Sequence, residues 1–175
     1  MFRVLFAGAA EGAGLRVGPD ASYASSLRWH PYHRVSSFPL PMNPSPLTVA
    51  LLDDDSSVLR ATARLLRSAG WMVAAFADPA SFLHHASSEK PPVAVLDVTM
   101  PLMDGLEVQT RLRELSPRTE VVFLTSRDDS ATREKALAAG AFAYLLKPAE
   151  DEELFSVIRS ALDQCQLVAA ERAGE

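Results

Sequence analysis

Four places in the chain put a reactive side chain directly after an unbroken apolar run. Leu51-Leu52 runs into Asp53-Asp54-Asp55, and Val93-Ala94-Val95-Leu96 into Asp97. Val121-Val122-Phe123-Leu124 runs into Thr125-Ser126, and Tyr144-Leu145-Leu146 into Lys147-Pro148. Short unbroken apolar runs read as strands buried on both faces, as in a parallel sheet. In open parallel sheets the chemistry gathers beyond the carboxyl ends of the strands. Carboxylates crowded at such an edge raise one another's pKa, and a hard divalent cation among them keeps them ionised. Carboxylate, carbonyl and water oxygens are the ligands Mg²⁺ prefers. Thr125 adds a hydroxyl and Lys147 a positive charge. A cation, a lysine and a hydroxyl around Asp97 could neutralise three phosphoryl oxygens. The set therefore reads as an aspartate that accepts a phosphoryl group.

These side chains converge only if the elements between them fold in a particular way. Residues 48–52, 71–76, 93–96, 120–124 and 141–146 read as strands. Val58, Ala61, Leu65, Leu66 and Ala69 follow helical spacing, and Gly70 closes that helix in a left-handed conformation. Asp78-Pro79 is a cap and first-turn pair for a short helix carrying Phe82 and Leu83. Leu106, Val108, Leu112 and Leu115 mark a third helix ended by Ser116-Pro117. Asp129 or Ser130 caps a fourth over 131–139, closing at Gly140. A fifth starts near Ala149 and carries Leu154, Phe155, Val157, Ile158, Ala161 and Leu162. Crossovers of this length require parallel strands and right-handed connections, so the expected fold is a three-layer α/β sandwich.

The 175 residues carry a net charge of −5, distributed unevenly. Residues 1–47 have a charge of +2 and the remainder −7. That balance argues against holding nucleic acid by bulk electrostatics. The first 47 residues also hold half of the 12 prolines and half of the 8 glycines, without helical or strand periodicity. They read as a disordered or poorly ordered extension. Met42 is an alternative start, in which case residues 1–41 are not native. Residues 48–163 form the expected domain. Residues 164–175 read as a tail or the start of a linker, with no DNA-binding motif after them. The single Cys165 allows no internal disulfide and fits a reducing, cytoplasmic setting, with the thiol partly buried near the end of the last helix. No apolar run approaches the ~18 residues of a membrane span. The first ten residues faintly resemble a signal peptide, but their apolar core is short and their basic region is one Arg.

The strand-end motifs together resemble the receiver domain of bacterial two-component response regulators. They are Leu51-Leu52-Asp53-Asp54-Asp55, Leu96-Asp97-Val98-Thr99-Met100-Pro101-Leu102-Met103-Asp104-Gly105, Phe123-Leu124-Thr125-Ser126, and Gly140-Ala141-Phe142-Ala143-Tyr144-Leu145-Leu146-Lys147-Pro148. The resemblance spans residues 48–163. It implies the flavodoxin-like strand order 2-1-3-4-5, and phosphorylation of Asp97 by a partner sensor histidine kinase. It implies Mg²⁺ bound directly by Asp54 and Asp97, through water by Asp53, and by the backbone carbonyl of Thr99. Thr125 would reorient toward the phosphoryl group and Tyr144 would be the switch aromatic. Lys147 would pair with the phosphoryl group, and the Lys147-Pro148 bond would be cis. The small Ser126 leaves the phosphoryl group access. The output would be dimerisation or partner binding through the face of the fourth helix, fifth strand and fifth helix. Such a domain accepts a phosphoryl group and loses it again, but is not a conventional enzyme.

Other readings of the same residues stay open at this point. Asp53-Asp54-Asp55 could simply cap the first helix, Tyr144 could be core, and Thr125 and Lys147 could be turn and surface residues. Asp53-x-Asp55 also resembles the haloacid-dehalogenase phosphohydrolases, although that family leaves Asp97 without a role and needs a later acidic pair at a strand end. A receiver fold that is never phosphorylated could serve as a pairing module. His84 and His85 are adjacent, cannot share one helix face, and read as surface residues. The fourth helix offers mainly Ala136 and Leu137 for packing, the thin anchoring that a switch needs.

Overall fold

The computed structural model describes residues 48–173. Strands and helices alternate along it as β1 (Thr48–Leu52), α1 (Ser56–Ser68), β2 (Met72–Phe76), α2 (Pro79–Glu89), β3 (Val93–Leu96), α3 (Gly105–Leu115), β4 (Glu120–Thr125), α4 (Ser130–Ala138), β5 (Ala143–Leu146) and α5 (Asp151–Ala173). The sheet is parallel throughout in the order β2-β1-β3-β4-β5, the flavodoxin-like arrangement expected. The N-terminal extension and the alternative start at Met42 lie outside the described residues.

Alternation along the strands builds two cores. Ala50, Leu52, Ala94, Leu96, Val121 and Phe123 face Phe82 and Leu83 of α2 and Val108 and Leu112 of α3. Their neighbours Val49, Leu51, Val93, Val95, Val122 and Leu124 face Ala63 and Leu66 of α1 and Leu154, Val157 and Ile158 of α5. All four residues of β3 are 0 % exposed, which explains why its sequence is apolar without a break. Four helices start on an aspartate whose carboxylate accepts a backbone N–H of the first turn: Asp55, Asp78, Asp104 and Asp129.

Three details depart from the pattern read in the sequence. Strand β5 begins at Ala143 rather than 141, because Gly140 (φ +83°) and Ala141 complete the turn out of α4. Helix α5 continues to Ala173, through the segment expected to be a tail or linker. That segment has no proline and only one glycine, Gly174, past the helix, so nothing in it interrupts the backbone ladder. In α4 only Thr132 and Ala136 are buried, while Leu137 is 44 % exposed. The expected packing of Leu137 fails because it falls one position past the Thr132–Ala136 face, where it turns toward solvent.

Truncating Ile158 (0 % exposed) to Ala should lower unfolding stability in urea by ~2–5 kcal/mol. Leu137→Ala should stay within about 0.5 kcal/mol. Equal losses would contradict this placement of α4.

Candidate functional site

The sheet hydrogen-bond ladder continues one step past the strands and fixes the backbone of the acids. The Asp97 N–H donates to the Leu52 carbonyl (2.9 Å) and the Asp53 N–H to the Phe76 carbonyl (3.2 Å). The Lys147 N–H donates to the Thr125 carbonyl (2.8 Å) in the same way. Gly105 pulls the loop after β3 tight, with its N–H donating to the Val98 carbonyl (2.9 Å). A Cβ at position 105 would overlap the Asp97 carbonyl oxygen and the Val98 Cα, so only glycine allows this approach. The Lys147-Pro148 peptide is cis.

The side chains meet above that frame. One carboxylate oxygen each from Asp53, Asp54 and Asp97 lies within 4.8 Å of the others. Asp53 and Asp97 are buried and Asp54 is exposed. Lys147 Nζ reaches over from β5 and donates to Asp53 Oδ2 at 2.5 Å, with Asp97 Oδ1 at 3.6 Å. The other Asp53 oxygen accepts the Asp55 N–H (2.9 Å). Burial pushes the Asp53 carboxyl above its ordinary pKa, and the Lys147 hydrogen bond and charge pull it only part of the way back. Asp97 Oδ1 is buried and accepts no hydrogen bond among the described residues.

These residues fit a hard divalent cation. The set is oxygen-only, carries three carboxylates, and includes a buried carboxylate oxygen that no donor satisfies. Thr99, whose carbonyl the resemblance assigns to the metal, lies two residues past Asp97 and is exposed. Asp55 is committed elsewhere. Its carboxylate accepts the Ser57 and Val58 N–H groups as the cap of α1, so the triplet supplies both a helix cap and site acids.

Thr125 is wholly buried, and its Oγ1 accepts the Arg127 N–H at 3.2 Å. Tyr144 is buried against Phe123 and its hydroxyl donates to the Arg127 carbonyl at 2.7 Å. Arg133 lies 5.2 Å over the Tyr144 ring. The Arg127 guanidinium donates to Asp129 Oδ2 at 2.6 Å, and the other Asp129 oxygen caps α4 through the Thr132 N–H. Arg127 thus touches both Thr125 and Tyr144 through its main chain and α4 through its side chain. The sequence gives no sign of this, because two of the three links are made by backbone atoms common to every residue.

Two other residues differ from, or add to, the sequence picture. His84 is exposed, but His85 is half-buried against Phe76 with ring centroids 4.9 Å apart. It is therefore not a plain surface residue, since α2 turns it inward onto the sheet edge. Cys165 is half-buried as expected and its thiol donates to the Pro92 carbonyl at 3.1 Å.

The profile of the response regulator receiver domain matches residues 49–159. The response regulator protein TodT of Pseudomonas putida is 39% identical over 114 residues, which cover 65% of this chain and 50% of that protein. The transcriptional regulatory protein PrrA of Mycobacterium tuberculosis is 39% identical over 114 residues, covering 65% of this chain and 49% of that one. The chain thus spans about half the length of these curated relatives. A receiver domain structure from Clostridium thermocellum superposes with a TM-score of 0.67 at 25% identity, over 69% of this chain and 98% of that one. The BeF3-activated DrrB receiver domain does so with a TM-score of 0.61 at 32% identity, over 67% and 97%. With this sheet order and this cluster of acids at its edge, the chain belongs to the response regulator receiver domain family.

Proposed function

We propose that Asp97 accepts a phosphoryl group from the phosphohistidine of a sensor histidine kinase, and that the face formed by α4, β5 and α5 transmits the result. The observation that carries this reading is the state of Asp97 Oδ1. It is buried, lacks a hydrogen-bond donor, and lies 3.6 Å from a lysine that is committed to another carboxylate. In the step itself an Asp97 oxygen forms a bond to phosphorus as the phosphorus–nitrogen bond to the donor imidazole breaks. The imidazole leaves with the electron pair. Asp53, Asp54, Asp97 and the Thr99 carbonyl would hold Mg²⁺, which when bound would neutralise charge on the phosphoryl oxygens. Lys147 adds a positive charge 3.6 Å from Asp97 Oδ1. Thr125 has a hydroxyl already among the site's elements, and turning it toward the phosphoryl group strips the Arg127 N–H of its acceptor. The Tyr144 hydroxyl donates to the carbonyl of the same residue, so a shift of Arg127 would be passed to the Tyr144 ring.

The output reading rests on α4, whose anchoring is thin. Two buried residues in a nine-residue helix leave room for two positions within a few kcal/mol. Relatives named as transcriptional regulators support an output that ends in gene control, through this chain's surface or through further parts of the protein. A sensor kinase partner would place the domain in the cytoplasm. Among the described residues no helix is long and apolar enough to cross a membrane. The hydrolase alternative is disfavoured because Asp55, its general acid, is spent on capping α1.

With acetyl phosphate and Mg²⁺, intact mass spectrometry should show one phosphoryl group added to the wild type and none to Asp97→Asn. Lys147→Ala should slow the addition roughly a hundredfold. Labelling of Asp97→Asn at the wild-type rate, or labelling that ignores chelation of the metal, would contradict the proposal.

A second test uses acid. Thr132 and Arg127 hold the Asp129 carboxyl down at about 2, below its ordinary 3.8. A depressed carboxyl contributes its stabilisation fully above the ordinary value and loses it as pH falls through the folded one. The Thr132 amide should therefore lose hydrogen-exchange protection between pH 3.8 and about 2, ahead of the sheet amides. In Asp129→Ala it should be unprotected at every pH. Simultaneous loss in helix and sheet would count against the cap.

A further inference from the structure

Gln109 on α3 is wholly buried, yet only one of its two polar amide atoms has a partner among the described residues. Nε2 donates to the Ala136 carbonyl of α4 at 3.1 Å, and Oε1 has no partner among the described residues. The carbonyl bond also fixes which end of the amide faces α4, since only the NH₂ can donate. A buried amide left half-satisfied is worse for packing than an apolar side chain of the same size. Core filling therefore does not account for it. The Ala136 carbonyl does not need the bond either, because it already accepts the Ala141 N–H at 2.9 Å.

The same face of α3 makes a second contact with the same end of α4. Arg113 follows Gln109 by four residues and so shares its helix face. Its guanidinium lies over Gly140, where a Cβ would overlap it. One donated bond, from Gln109, and one cationic group, the Arg113 guanidinium packed at Gly140 just past the helix, thus meet the carboxyl end of α4, where the helix carbonyls carry partial negative charge. The amino end is held differently. Asp129 caps it, Arg127 pairs with Asp129, and Arg127 is bonded in turn to the hydroxyls of Thr125 and Tyr144. The Asp129–Arg127 tie at the amino end leads to Thr125 and Tyr144, the residues proposed to move on phosphorylation, and Arg133 of the same end lies over the Tyr144 ring. Neither tie at the carboxyl end leads to them.

We propose that Gln109 and Arg113 clamp the carboxyl end of α4 and make it the pivot about which phosphorylation swings the amino end. The swing rests on the Asp97 reading above; the clamp does not. The device converts a small displacement of Thr125 and Tyr144 into a tilt of α4 rather than a slide. The half-satisfied amide makes the clamp costly in its own right, so replacing it with an apolar side chain should loosen α4 without weakening the fold.

The test measures amide hydrogen exchange by NMR in the wild type, Gln109→Met and Arg113→Ala. The last variant changes an exposed side chain and guards against misfolding of the first. Amides of Ala136, Ala139 and Gly140 should exchange about tenfold faster in both variants, with β3 and β4 amides unchanged. Wild-type rates at these amides in both variants, or acceleration shared equally with the sheet, would overturn the clamp. Beryllofluoride with Mg²⁺ then tests the pivot. In the wild type, shift changes should concentrate at residues 129–133 and stay small at 136–140, and in Gln109→Met they should spread along the helix. Equal changes at both ends of the wild-type helix would overturn the pivot. Absence of any change on adding beryllofluoride would instead remove the Asp97 reading, and the pivot with it, while the exchange rates still decide the clamp.

Discussion

One lysine organises the site. Lys147 comes from the end of an edge strand and bonds to Asp53 at 2.5 Å, but stays 3.6 Å from Asp97. The first contact is a charge-assisted hydrogen bond and the second is too long to be one. Lys147 therefore offsets the crowded carboxylates without occupying the lone pair of Asp97. Burial still dominates at Asp53, whose pKa rises despite the lysine. One lysine beside three carboxylates leaves net negative charge at this edge, and an oxygen-only set of this kind fits a divalent cation.

The sheet below is built to hold these groups still. The main-chain bonds of Asp53, Asp97 and Lys147 to neighbouring strands extend the ladder past its formal ends. A fully buried β3 and the close approach of Gly105 leave the Asp97 backbone little room to move. The helices differ from one another in how deeply they are anchored. Helix α3 buries Gly105, Val108, Gln109 and Leu112, whereas α4 buries only Thr132 and Ala136. A firmly held edge beside a thinly anchored helix is the arrangement the proposed switch would use, since a local charge change could move α4 and leave the core in place.

Strand-end side chains were legible in the sequence because parallel strands carry their carboxyl termini to one edge. Asp53, Asp54, Asp97, Thr125 and Lys147 needed only the apolar runs before them to be placed. The role of Asp55 as cap rather than site acid was open, because both roles ask for a carboxylate after a strand. Arg127 and Gln109 were not legible. The first acts largely through backbone atoms, and the second lies at a position where helical periodicity expects an apolar residue. The exposure of Leu137 is not legible because a short helix rich in alanine has a weak apolar stripe, so its phase is poorly defined. The length of α5 is not legible either, because composition marks the end of a core more clearly than the end of a helix.

Asp97, and no neighbouring acid, is the residue we propose to carry the phosphoryl group. Borohydride reduces an acyl phosphate to the alcohol and so leaves a permanent mark at the labelled residue. After acetyl phosphate and Mg²⁺, peptide mapping should find homoserine at position 97 alone. Homoserine at position 53, 54 or 55, or at none of these four positions, would contradict the account.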